Sequence, residues 1–133
     1  FAENSVRDFQ AHARQVTAGK NFLSSGAIGP WLTTADEVGD PSALTLTTRL
    51  NGQVVQHDRL TSLVFSVAEL IVYISQFTRL LPGDIIATGT PDGVGFLRKP
   101  PIWLVPGDTM EIDIPGVGLL RNTVVAEHTG APR

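Results

Sequence analysis

Glycine and proline punctuate this chain from end to end, thirteen of the first and nine of the second, and they cut it into segments better suited to short strands than to long helices. The segments between them carry the matching pattern. Ala43 to Gln56 reads LTLTTRL, then NG, then QVVQ, with aliphatic or β-branched residues alternating with polar ones around Asn51-Gly52. That dipeptide favours a type I′ turn, so the stretch predicts a hairpin. TMEIDIP from Thr109, a turn at Gly116 to Gly118 and the returning LLRNTVVAE predict a second hairpin. DIIAT (84–88) is a short apolar run suited to a buried strand, and the loop GTPDGVG (89–95) follows it. RKPPIWLVPGD (98–108) contains three prolines and is expected to be irregular or extended, because proline removes ladder donors. TAGKNFLSSGAIGP (17–30) reads as ordered loop. One helix stands out. Ser66 and Glu69 form a capping box, and Val67, Leu70, Ile71, Ile74 and Phe77 recur on one face, which predicts a helix over about 66–80 that stops before Pro82-Gly83. The pattern predicts an α+β, mainly β fold class: a rolled or barrel-like sheet with one clear helix.

Length and charge narrow the function classes. A chain of 133 residues suits a single domain that buries roughly two-thirds of its unfolded surface. With no cysteine there is no disulfide framework, thiolate metal site or thiol nucleophile, and a reducing, cytoplasmic location fits. The net charge is -3 and no basic run exceeds Arg98-Lys99, so nucleic acid is not an expected partner. LIVYI (70–74) is too short to span a bilayer, and no membrane partner is expected. The chain lacks an initiator Met and starts within an apparent extended segment, so it is expected to continue upstream.

Four places could carry chemistry. In ENSVRDFQ (3–10), Glu3 and Asp8 would face opposite sides of a straight strand while Glu3 and Arg7 share a side, which reads first as an ion pair. Lys20 sits between Gly19 and Asn21; it is either a solvated surface charge or a cation on backbone permissive enough for close ligand approach. The glycines of ATGTPDGVG permit positive φ and expose backbone donors to an anion, although no phosphate-loop spacing is present. His12, His57 and His128 are scattered without metal-ligand or triad spacing and read as surface residues.

Taken together, ENSVRDFQ, GKNF (19–22), GAIGPWLTTADEVGDP (26–41), NGQVVQ, FSVAELI, LLPGDIIATGTPDGVGF and PGDTMEIDIPGVGLLRN resemble the C-terminal part of the fumarylacetoacetate hydrolase superfamily, in the family's order over nearly the whole chain. The resemblance implies a mixed β-roll over residues 1–133 as one domain, and a divalent cation, Mg²⁺ or Mn²⁺ with Ca²⁺ as a further candidate. It implies a small 2-oxo or 2,4-dioxo carboxylic acid as substrate and a homodimer as the assembly. By position it implies that Glu3 is a metal ligand, that Arg7 and Gln10 line the substrate site, that Lys20 stabilises enolate charge with Arg7 as a second catalytic cation, that Thr90 contacts the substrate carboxylate, and that Gly89 is substrate-binding. The activity it implies is hydrolysis of a carbon–carbon bond in an acylpyruvate, with isomerase, decarboxylase or hydratase chemistry as the alternative. A non-catalytic fragment or paralogue is the other class.

Three departures accompany the resemblance. Glu3 stands where the family usually has Asp, and Leu23 stands where an acidic residue commonly follows the Phe of Lys-x-Phe. The family's Glu-x-Glu ligand pair and its lid His and Glu belong upstream of the first strand, in a segment these residues do not include. This chain taken alone is therefore expected to be inactive, because one carboxylate cannot satisfy a hard cation.

Overall fold

The computed structural model describes residues 1–127. In chain order the elements are β1 (Ala2–Glu3), α1 (Arg7–Gln10), α2 (Thr17–Lys20), β2 (Gly26–Ala27), α3 (Ala35–Val38), β3 (Thr45–Leu50), β4 (Gln53–Arg59), α4 (Val67–Ile74), β5 (Thr109–Ile114) and β6 (Gly118–Thr123). Sheet dominates, and only α4 exceeds a single helical turn, which agrees with a mainly β, α+β fold.

Both expected hairpins form. β3 and β4 pair across Asn51 (φ 51°) and Gly52 (φ 80°), the doubly positive combination of a type I′ turn. β5 and β6 pair antiparallel, and β3 joins β5 to give a four-stranded sheet in the order β4-β3-β5-β6. Period-two alternation gives this sheet two unlike faces. Leu46, Met110, Ile112 and Leu120 lie on one, where the core forms against Ala2 and Ala27 of the small β1–β2 sheet. The other face carries the Arg49–Asp113 and Arg121–Glu111 ion pairs and the Thr47–His57 hydrogen bond.

Two turns share one design. LPGD (81–84) and VPGD (105–108) each place proline second and glycine third, with Gly83 at φ 99° and Gly107 at φ 98°. In each, the aspartate carboxylate accepts from the backbone N–H of the first residue, Asp84 from Leu81 at 2.8 Å and Asp108 from Val105 at 2.9 Å.

Four expectations need correction. TAGKNFLSSGAIGP (17–30), read as loop, contains α2 and β2, which form because Gly19 lets α2 pack on α1 and Gly26–Ala27 pairs with β1. The helix starts where the capping box places it, with Ser66 Oγ accepting from Glu69 N–H, but it ends at Ile74 and leaves only a trailing turn through Thr78. Ser75 and Thr78 are weak helix formers, and no residue of α4 is buried, so packing does not extend it. DIIAT forms no strand: its backbone has no ladder partner among the described residues, and Ile85 is 65% exposed. An apolar run becomes a strand only where a neighbour takes up its N–H and C=O groups. Finally, the accessible surface is 10,235 Å², about half of the roughly 20,600 Å² of an unfolded chain this size rather than the smaller fraction expected. Among the described residues the buried hydrophobic ones are Ala2, Ile112 and Leu120, while Ile71, Phe77, Trp103 and many other large apolar side chains stay exposed. No helix among the described residues is long and apolar enough to cross a membrane.

Candidate functional site

All six implied site residues follow from two local structures. The first is the N-terminal unit. Ala2, 2% exposed, is anchored in the core and pairs with Ala27, which fixes its neighbour Glu3 at the rim opposite Gly26. The chain then leaves the strand and turns into α1. Helix α2 packs back on α1 through Gly19, where a Cβ would come within 2.8 Å of the Gln10 backbone nitrogen and 2.9 Å of its Cα. Val6 N–H also donates to the Gly19 carbonyl at 2.9 Å. Gly19 therefore serves the approach of two backbones rather than the approach of a ligand.

That contact delivers Lys20. Its ammonium lies 3.3 Å from Glu3 Oε1, with the lysine side chain 24% and the glutamate 45% exposed. The expected Glu3–Arg7 pair does not form, because the turn into α1 carries Arg7 off the strand face that Glu3 occupies. The Arg7 guanidinium instead donates to Gln10 Oε1 and stands 5.1 Å over the Phe96 ring. Phe9 packs on Phe22 at 4.7 Å between ring centres, which holds α1 against the segment after Lys20. Asp8 is exposed, and Leu23 is 90% exposed with its side chain in solvent.

The second structure is the loop after Pro82-Gly83. Gly89 has φ 120° with open space where a Cβ would lie, so its requirement is conformational. Thr90 Oγ1 accepts from Gln56 Nε2 at 2.9 Å, and the same nitrogen donates to the Pro91 carbonyl at 2.9 Å. Further along, Arg98 Nε donates to the Gly93 carbonyl at 3.0 Å. Phe96, six residues after Thr90, carries the Arg7 contact and also meets Trp103 at 6.1 Å, so the loop and the N-terminal unit approach each other through it. Gln56, Phe96, Arg98 and the packing role of Gly19 escaped the sequence reading. Phe96 ends the recognised GTPDGVGF stretch and Gln56 ends NGQVVQ, yet neither spacing says what the side chain touches.

The GPW segment acts as a strut. Trp31 Nε1 donates to the Val117 carbonyl at 2.6 Å, and Thr33 Oγ1 donates to the same oxygen at 3.1 Å. His57 bonds Thr47 on the sheet's ionic face and His12 packs on Phe9, both exposed as expected; His128 lies outside the described residues.

A hard divalent cation takes about six oxygen ligands. Glu3 offers a carboxylate, but it is engaged by Lys20, and no group of three or more His, Cys, Asp or Glu converges among the described residues. These residues do not by themselves fit such a cation. What they offer is a half-buried ammonium and an oriented guanidinium on the N-terminal unit and a hydroxyl fixed on the loop, groups suited to binding an anion and stabilising developing negative charge.

The mitochondrial oxaloacetate tautomerase FAHD2A of Bos taurus is 45% identical over 123 residues, covering 91% of this chain and 39% of that protein. The crystallised fumarylacetoacetate hydrolase of Exiguobacterium antarcticum superposes with a TM-score of 0.87 at 36% identity, covering 92% of this chain and 44% of the other. Maleylpyruvate hydrolase from Sphingobium sp. SYK-6, solved with manganese(II) and pyruvate, gives a TM-score of 0.65 at 42% identity over 73% of this chain and 34% of the other. The chain thus spans less than half the length of the relatives it matches. A profile described as fumarylacetoacetate (FAA) hydrolase C-terminal matches residues 1–125, and the chain belongs to the fumarylacetoacetate hydrolase family.

Proposed function

We propose that the protein containing this chain catalyses keto–enol chemistry on a small 2-oxo carboxylic acid, with tautomerisation of an oxaloacetate-like acid as the first reading. The observation that carries it is Lys20, a partly buried ammonium held 3.3 Å from Glu3 and placed by helix packing on the unit that also holds Arg7. Taking a proton from the carbon beside a 2-oxo group leaves negative charge on the oxo oxygen, and a fixed ammonium lowers the cost of that charge. In the keto-to-enol direction one proton leaves the C3 carbon and one is added to the 2-oxo oxygen, so nothing is gained or lost. Arg7, oriented by Gln10, and Thr90, presented after Gly89, bind the substrate carboxylate.

Hydrolysis of an acylpyruvate is the second reading, supported by the likeness to maleylpyruvate hydrolase. There the hydroxyl of water adds to the acyl carbon, the carbon–carbon bond breaks, and its electron pair leaves as the same kind of enolate, which is then protonated. Both readings put the same demand on Lys20 and differ in where water is admitted. A divalent cation, Mg²⁺ or Mn²⁺, is part of the proposal for the longer protein, supported by the manganese in that relative. No step above runs through it. A homodimer and a cytoplasmic location complete the proposal, the first from the family resemblance and the second from the lack of cysteine, while the bovine tautomerase relative is named mitochondrial.

The test uses the full-length protein with oxaloacetate, following enol absorbance, and with maleylpyruvate, following cleavage. Lys20→Ala is expected to lower turnover on the preferred substrate by about 10²-fold or more, as for a lost charge-stabilising donor. Turnover equal to wild type would remove Lys20 from the chemistry.

A further inference from the structure

We infer that Gln56 is a positioning residue: by filling one acceptor position of the Thr90 hydroxyl it turns that hydroxyl's hydrogen away from β4, free to donate to a substrate carboxylate. The inference rests on the proposed role of Thr90 and adds the reason that role needs a partner on a different strand.

Strand β4 is an edge of the sheet, and its register with β3 shifts: Thr48 faces Gln56 while Arg49 faces Val54, which leaves Val55 as an extra residue at a bulge. Bulges next to sites re-aim side chains. Here the Val55 carbonyl accepts from the Arg98 guanidinium. Gly93, at φ 100°, passes so close to this carbonyl that a Cβ would collide with it. Arg98 also holds the Gly93 carbonyl, so one side chain ties the loop to the bulge at both ends of that contact. Gln56, the next residue of β4, ties it a second time through Thr90 and Pro91.

The amide orientation follows from chemistry. The Pro91 carbonyl can only accept, so the Gln56 atom 2.9 Å from it must be the NH₂ end. The same nitrogen lies 2.9 Å from Thr90 Oγ1, so the hydroxyl oxygen accepts there. A hydroxyl carries one hydrogen, and with this acceptor position filled by an N–H, that hydrogen points elsewhere. A carboxylate has only acceptors to offer, so a hydroxyl whose hydrogen is turned away from Gln56 is oriented to donate to it. Placement agrees: Gln56, Thr48, Ile112 and Leu120 form one row across the four strands, on the sheet face that packs against Ala2 beside Glu3.

The experiment uses the full-length protein with oxaloacetate as substrate and the variants Thr90→Val, Gln56→Met, the double variant, and Gln56→Glu. Each single change to Val or Met is expected to raise KM about tenfold with kcat within about twofold, as for one charge-assisted hydrogen bond made equally in ground and transition states. The double variant should be no worse than Thr90→Val, because Gln56 acts through Thr90. Gln56→Glu keeps the shape but accepts from Thr90, and its KM should rise more than that of Gln56→Met. If Thr90→Val leaves KM unchanged, the carboxylate role of Thr90 fails and this inference with it. If Thr90→Val raises KM while Gln56→Met does not, or if the two effects multiply, the site reading stands and the positioning role of Gln56 is overturned. Should Gln56→Met fail to fold, Gln56→Glu decides: a wild-type KM overturns the inference.

Discussion

Replacing Gly19 by alanine sets two opposing effects of similar size against each other, and the structure says which prevails. Alanine inside a helix is favoured over glycine by about 0.5–1 kcal/mol, which would stabilise α2. Against that, the new methyl would stand 2.8 Å from the Gln10 nitrogen and 2.9 Å from its Cα, and backbone cannot swing aside as a long side chain can. Restoring ordinary contact at 3.4 Å requires α1 and α2 to separate by about 0.6 Å. Overpacking of this kind costs about 1–3 kcal/mol, so a net loss of about 1–2 kcal/mol is expected. The separation moves Lys20, the next residue, away from Glu3 and from the substrate position proposed above. With roughly 10²-fold lost per ångström of misplacement, turnover should fall about tenfold. Urea unfolding of the full-length protein reads the first number and oxaloacetate turnover the second. Stability and turnover both at the wild-type level would refute the view that a backbone contact at Gly19 places the lysine.

Two further outcomes concern stability. Ser66→Ala removes the hydroxyl that accepts from Glu69 N–H and should cost about 1 kcal/mol, seen as faster amide exchange over Val67–Ile74; unchanged exchange there would show that the capping box does not hold the helix. Asp108 is held below its ordinary value of 3.8, first by the Asn51 side-chain amide and then by Val105 N–H; Asp58 is lowered first by the Ser62 hydroxyl. Because the folded values are depressed, their contribution is fully present above about pH 4 and is lost as pH falls through the folded values, so the thermal midpoint should drop below that pH. Asp108→Asn should flatten part of this fall, and an unchanged acid limb would discount the pairing.

What the sequence made legible was local. Asn51-Gly52 states its own backbone geometry, the alternation of TMEIDIP states which residues share a face, and Ser66-x-x-Glu69 states where a helix begins; each signal is complete within a few residues. The misreadings concern partners distant in sequence. DIIAT looks like a strand, but strandedness depends on a neighbour that five residues cannot specify. A continuous strand would pair Glu3 with Arg7, but the observed partner, Lys20, arrives only after two helices have packed through Gly19. Family resemblance pointed to Lys20, Arg7 and Thr90, yet Gln56, 34 residues from Thr90, carries no spacing signal that links them.

The row formed by Gln56, Thr48, Ile112 and Leu120 makes the sheet sensitive to residue count. Side chains alternate strictly, so losing one residue from β3 or β5 would send their core positions to the ionic face and strand Ile112 in solvent. Val55 is different. It is already surplus to the ladder, and without it Val54 would still oppose Arg49 and Gln56 would still oppose Thr48. Length variation in this sheet should therefore concentrate at that one position: parity survives there, and what disappears is the spare carbonyl that Arg98 grips to hold the loop.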